Sequence, residues 1–152
     1  MFQTKHNFLV GCYFLATLVI VATNRNKHDF LWLGLLGQML LAHLSVDIYI
    51  SKQVWASFHT YALMYVLYIL SFSCIDVYFH LHDQDNFGGK IHKQHEQMFI
   101  DFVYVNISTI STIGYGDIVP LTTTTRSYFC YKILIAIFMI VFLVSDIVIK
   151  RR

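Results

Sequence analysis

Proline is nearly missing from this sequence. Pro120 is the single one, and only seven glycines accompany it in 152 residues. With so few breakers, long uninterrupted helices are expected. Charge is also scarce. Asp, Glu, Lys and Arg make up 13% of the chain, against about 25% in an ordinary soluble domain. The formal net charge of +2 is too small and too scattered for a nucleic-acid footprint. Cys12, Cys74 and Cys130 lie in separate apolar runs. Their odd number and lack of motif spacing argue against a disulfide framework or a zinc site. Internal repeats, low-complexity tracts and a soluble domain are absent too.

What is present is apolar surface. Hydrophobic residues reach 57% and aromatics 16%, including thirteen Phe and ten Tyr, more than a small soluble core could hide. The composition predicts an all-α integral membrane protein, multi-pass, in contact with lipid. A helix needs roughly 20 mainly apolar residues to cross the hydrocarbon layer. Four stretches meet this need, at about 7–23, 30–50, 54–80 and 127–149. The second is interrupted by Gln38, His43 and Asp47, the third carries His59 and Asp76, and the fourth carries Lys132 and Asp146. The first resembles a signal peptide after Lys5, but Val21-Ala22-Thr23 is a poor cleavage site. Lys and Arg distribute almost evenly between the two sides, so charge says little about orientation.

Between the third and fourth spans, a polar stretch at 82–97 contains Gly88-Gly89. A shorter apolar segment, 98–111, then runs into Thr112-Ile113-Gly114-Tyr115-Gly116-Asp117. It is too short to span, so it predicts a helix that enters the membrane and returns as extended backbone. Such backbone is tolerated at that depth only when protein buries it or it lines a water-filled path. A dehydrated cation needs a shell of oxygens in place of its water, and rings of backbone carbonyls can supply it. Carbonyls that all face one axis require a backbone alternating between ordinary and left-handed conformations. Gly takes positive φ without steric cost, and Gly114 and Gly116 sit one residue apart.

The run Thr109–Asp117 resembles the signature of potassium channels. The resemblance implies a pore module with outer helix 54–80, turret 82–97, pore helix 98–111, filter 112–117 and inner helix 122–150. Two further spans in residues 1–53 would precede it. One loop per chain cannot close a ring, so a homotetramer is implied, with three further identical subunits as partners. Potassium is the permeant ion, and no cofactor is expected. The ion-contacting run is Thr112, Ile113, Gly114, Tyr115 and Gly116, with the Thr112 hydroxyl adding an oxygen ring at the inner end. Gly116 and Asp117 form the outer mouth, and Ile113 and Tyr115 pack behind the filter. Asp117, Tyr104 and Ser111 support it. Tyr104 stands where the family often has a Trp, its hydroxyl within possible reach of Asp117 or satisfied elsewhere. Ile137, Ile140, Val144 and Val148 share one face of the inner helix and would line the pore. The pore half is most similar to the miniature potassium channels of large algal viruses. It shares their Thr-rich opening of the inner helix, here Pro120–Arg126, but carries about fifty extra N-terminal residues. A plasma membrane or a viral or host membrane is the implied location.

Other features are plainer. A voltage-sensor helix needs basic residues at every third position, and residues 7–81 show no such spacing. Lys132 would either reach outward or pair with an acid such as Asp76. Asp146 at the inner mouth would attract internal cations. Ser145 would bend the inner helix or merely pack. His80, His82, His92 and His95, with Asp83, Asp85 and Glu96, would form either a zinc or proton sensor or a solvated turret, and the turret is favoured. Asn106-Ile107-Ser108 matches a glycosylation sequon but falls in the pore helix. Val119 at the outer mouth, where relatives have an aromatic, predicts weak external block by tetraethylammonium. A non-conducting regulatory subunit is the alternative function. An enzyme or transporter using His43, Asp47, His59 and Asp76 lacks any recognisable spacing.

Overall fold

The computed structural model describes residues 27–50 and 58–150, together with Cys12, Leu15, Thr17 and Val19. Side chains are described over 27–44 and 61–141 and at 144 and 148, besides those four early residues. The early four are helical; the rest of the first expected span lies outside the described residues.

Among the described residues, four long helices carry the fold: α1 (Lys27–Ile50), α2 (Phe58–His82), α3 (His95–Ile110) and α4 (Thr123–Lys150). Between α2 and α3 come a short 3-10 turn, Gln84–Asn86, and strand β1, Phe87–Gly88. Strand β2, Val119–Pro120, precedes α4. α1 begins three residues before the expected 30, α3 begins at His95 rather than 98, and α4 begins at Thr123. Among the described residues, two helical stretches are long and apolar enough to cross a membrane, Tyr61–His82 and Thr123–Val141.

The core gathers on α2. Every residue from Ser71 to Val77 is buried. Phe72 and Tyr68 of α2 pack tilted against each other at 4.5 Å, and Phe72 meets Tyr128 of α4 at 5.7 Å. α3 buries Met98, Phe99, Phe102, Val105 and Asn106 on one side, a spacing of three and four that forms a single helical face. Ile100, Tyr104 and Ile107 stay exposed on the other. α1 lies along α2 through a small-residue contact. A Cβ on Gly34 would strike the Ile75 side chain and come within 2.9 Å of the Ser71 carbonyl. Small residues at such contacts let helix backbones approach closely. Phe30 of α1 is fully buried and stacks on the His95 ring at 6.0 Å, so α1 reaches the start of α3 as well.

The expected turret is more structured than a solvated loop. β1 pairs antiparallel with β2, Phe87 opposite Pro120 and Gly88 opposite Val119. Asn86 organises the junction. Its Nδ2 donates to Phe79 O at 2.9 Å, and its Oδ1 accepts from Thr122 Oγ1 at 2.8 Å. Its carbonyl accepts from Leu121 N at 2.9 Å and from Thr125 Oγ1 at 3.1 Å. The end of α2 and the start of α4 are thus tied together through one side chain and its backbone.

Candidate functional site: the loop after α3

α3 ends at a carbonyl that holds the following loop. Ser108 O accepts from Ile113 N at 3.0 Å, Gly114 N at 3.1 Å and Ser111 Oγ at 3.2 Å. Helix C-termini leave their last carbonyls without intrahelical donors. Here the loop itself turns back to supply them. The helix end also carries partial negative charge, which favours a cation beyond it.

From there the backbone alternates. Thr112, Gly114 and Gly116 take φ of 61°, 55° and 74°. Ile113 and Tyr115 between them are not in the left-handed region. A Cβ added to Gly114 or Gly116 would meet nothing within 4 Å, so glycine is required there by backbone conformation rather than by crowding. Thr112 is the one non-glycine residue with positive φ among the described residues. Such a conformation is uncommon for a β-branched side chain and costs energy. Nothing in the sequence marked it, because Thr is not a residue that signals left-handed backbone.

The loop's far end is anchored twice. The Tyr104 hydroxyl donates to Asp117 Oδ2 at 2.9 Å, and Ile118 N donates to Asp117 Oδ1 at 3.1 Å. The rings of Tyr104 and Tyr115 stack at 5.6 Å, 10° from parallel. A phenol is protonated at neutral pH, so Tyr104 is the donor to the Asp117 carboxylate. Gly89, at φ 113°, lies against the Asp117 carbonyl, which a Cβ there would strike. The turret strand and the loop exit are thereby in direct contact.

Ile113 and Tyr115 are 58% and 63% exposed in the single subunit. On α4, Ile137, Val144 and Val148 are exposed and Ile140 is half-buried, whereas Ala136 and Met139 face the core. The side chains of Ser145 and Asp146 lie outside the described residues, as do those of Asp47 and His59. Lys132 points inward: its Nζ meets Asp76 Oδ2 at 2.8 Å, and both side chains are fully buried. The turret histidines do not converge. His80 packs edge-on against Phe87 and Phe102 at 6.3 and 6.0 Å. His92 instead pairs with Asp101, Nδ1 to Oδ2 at 2.9 Å. Among the described residues no group of three or more His, Cys, Asp and Glu could hold a metal ion.

A loop gripped by a helix C-terminus, with left-handed backbone at every second residue, lies between two helices long and apolar enough to cross a membrane. The sequence comparison agrees with that arrangement: a family model for ion channels matches residues 45–151. The chain belongs to this ion-channel family. Among curated proteins, the channel is 34% identical over 77 residues to the two-pore potassium channel 4 of Arabidopsis thaliana. That match covers 51% of the channel and 24% of the relative, so the chain spans about a quarter of that protein's length. No solved structure matches it.

Proposed function

We propose that the channel conducts potassium selectively and passively, as a ring of four identical subunits with residues 112–116 at its axis. The observation that carries this reading is the alternation of left-handed backbone at Thr112, Gly114 and Gly116. Alternation lets successive carbonyls of one strand face the same way, and a ring of such strands replaces the hydration shell of a cation. Thr112, Ile113, Gly114 and Tyr115 supply the oxygens, Gly116 and Asp117 form the mouth, and Tyr104 and Ser111 hold the strand from behind. The Arabidopsis relative is named a potassium channel, which favours potassium over other cations.

One subunit leaves apolar side chains uncovered where a ring of copies would use them. Ile113, Tyr115, Ile137, Val144 and Val148 are each about half exposed or more. In a tetramer Ile113 and Tyr115 pack between subunits, and Ile137, Ile140, Val144 and Val148 line an apolar inner cavity, which can gate by dewetting. α1 and the segment before it serve as packing helices in the lipid, with no arginine-type voltage sensor. Asp146 concentrates cations at the inner mouth. The pore module is of the miniature viral kind, in a plasma, viral or host membrane.

Proteoliposomes loaded with potassium test this reading. The full chain is expected to release potassium on dilution, and Gly114→Ala to abolish the flux while the tetramer still assembles. A chain that assembles as a tetramer yet carries no potassium would be the non-conducting regulatory subunit instead.

A further inference from the structure

Behind α3 lies a polar cluster that no step of ion conduction uses. Asp76 of α2 and Lys132 of α4 are fully buried and bonded at 2.8 Å. The Lys132 ammonium also sits 3.5 Å over the Phe129 ring. Asn106 of α3, fully buried, donates through Nδ2 to the same Asp76 Oδ2 at 2.8 Å. That nitrogen further reaches Ser73 Oγ at 3.1 Å and Phe102 O at 2.8 Å. Three helices therefore meet at one carboxylate oxygen.

Stability does not explain this cluster. Two ions stripped of water gain little over apolar residues of similar volume. Asp76 Oδ1 and Asn106 Oδ1 are moreover buried without a hydrogen-bond partner among the described residues, and each such atom is costly. What charged hydrogen bonds give that apolar packing does not is direction. The direction here is imposed on α3 one half-turn before the carbonyl that grips the loop.

We infer that Lys132, Asp76 and Asn106 are positioning residues for the filter. They form a polar strut from the inner helix, through the outer helix, to the pore helix. The strut fixes the rotation of α3 at Asn106, and so the place of the Ser108 carbonyl, 3.0 Å from Ile113 N and 3.1 Å from Gly114 N. It keeps the loop in the form whose oxygens face the ion. The inference rests on the reading of residues 112–116 as a potassium filter. It also makes the inner helix and the filter parts of one mechanical unit, since Tyr68 of α2 donates to the Lys132 carbonyl at 2.8 Å and holds that turn of α4 in place.

The test uses the full chain in planar bilayers, comparing wild type with Asp76→Leu/Lys132→Met and with Asn106→Leu. The double variant removes both charges together, so no unpaired ion is left in the core. Asn106→Leu keeps the ion pair and removes only its link to α3, so it decides the question even where the double variant does not assemble. Potassium bound to the conducting loop stabilises that form by mass action. At low external potassium, open bursts are expected to shorten about tenfold in either variant, roughly what one hydrogen bond to a charged group is worth. High potassium should restore them, and the triple variant should be no worse than either, because the residues act in series. Bursts matching wild type at every potassium concentration, or shortened bursts indifferent to potassium, would overturn the inference while leaving the channel reading intact. A wild-type chain with no potassium-selective current would overturn the channel reading, and this inference with it.

Discussion

The Tyr104 hydroxyl donates to Asp117 Oδ2 at 2.9 Å, joining the exposed side of α3 to the last residue of the loop that follows it. The two lie thirteen positions apart in sequence, and the whole left-handed run lies between them. The loop is therefore held at both ends by one helix, by the Ser108 carbonyl at its start and by Tyr104 at its finish.

Tyr104→Phe keeps the ring stack on Tyr115 and removes only this bond. A hydrogen bond to a charged acceptor is worth about 1.5–3 kcal/mol. Single-channel recordings should show shorter openings and faster loss of conduction, with assembly unchanged. Open times equal to wild type would show that the bond does not brace the loop.

Gly116→Ala places a side chain on a residue at φ 74°. Left-handed backbone costs an L-residue roughly 1–2 kcal/mol, repeated in every subunit of a ring. Conduction should fail while the thermal stability of the subunit fold changes little, because nothing crowds that position. Gly89→Ala should act differently, since its new Cβ would strike the Asp117 carbonyl. It should lower the melting temperature as well as the current.

The ion pair separates stability from charge number. Asp76→Asn or Lys132→Met alone leaves one fully buried ion unpaired, a loss of about 3–5 kcal/mol. Thermal unfolding in detergent should show a large drop for each single variant and a smaller one for Asp76→Leu/Lys132→Met. High salt should change neither result, because a buried pair is poorly screened. Equal drops in single and double variants would mean that the charges do not interact in the assembled protein.

Asn86→Ala removes the bonds to Phe79 O and Thr122 Oγ1 at once. It should loosen the link between α2 and α4 and cost about 1–3 kcal/mol, since Asn86 is buried and its partners would be left unsatisfied. Faster amide exchange over 119–125 would register the change. Unaltered protection there would assign the link to the two-residue ladder instead.

What could be read from the sequence was what depends on local chemistry. Gly114 and Gly116 advertise positive φ by their residue type, and Asp76 and Lys132 stand out as charges in apolar runs. The sequence offers Asp76 to Lys132 only as one option, because helix rotation is set by packing that spacing alone does not reveal. Thr112 carries no mark of its left-handed backbone. Asn106 matches a glycosylation sequon, and its hydrogen bonds to Ser73 and Asp76 exist only once α2 and α3 are packed. The β1–β2 ladder was invisible for a related reason: two short strands more than thirty positions apart carry no periodic signal. Asn86 sits in the same polar stretch, where an asparagine carries no signal of the long-range bonds it makes.

The central claim is that residues 112–116 of four subunits give a potassium ion the oxygens that water otherwise provides. Its most direct test is the reversal potential of purified wild-type chain in a planar bilayer, with potassium on one side and sodium on the other. A reversal potential displaced strongly toward the potassium equilibrium potential is predicted. Currents that reverse near zero, with sodium carried as readily as potassium, would contradict it.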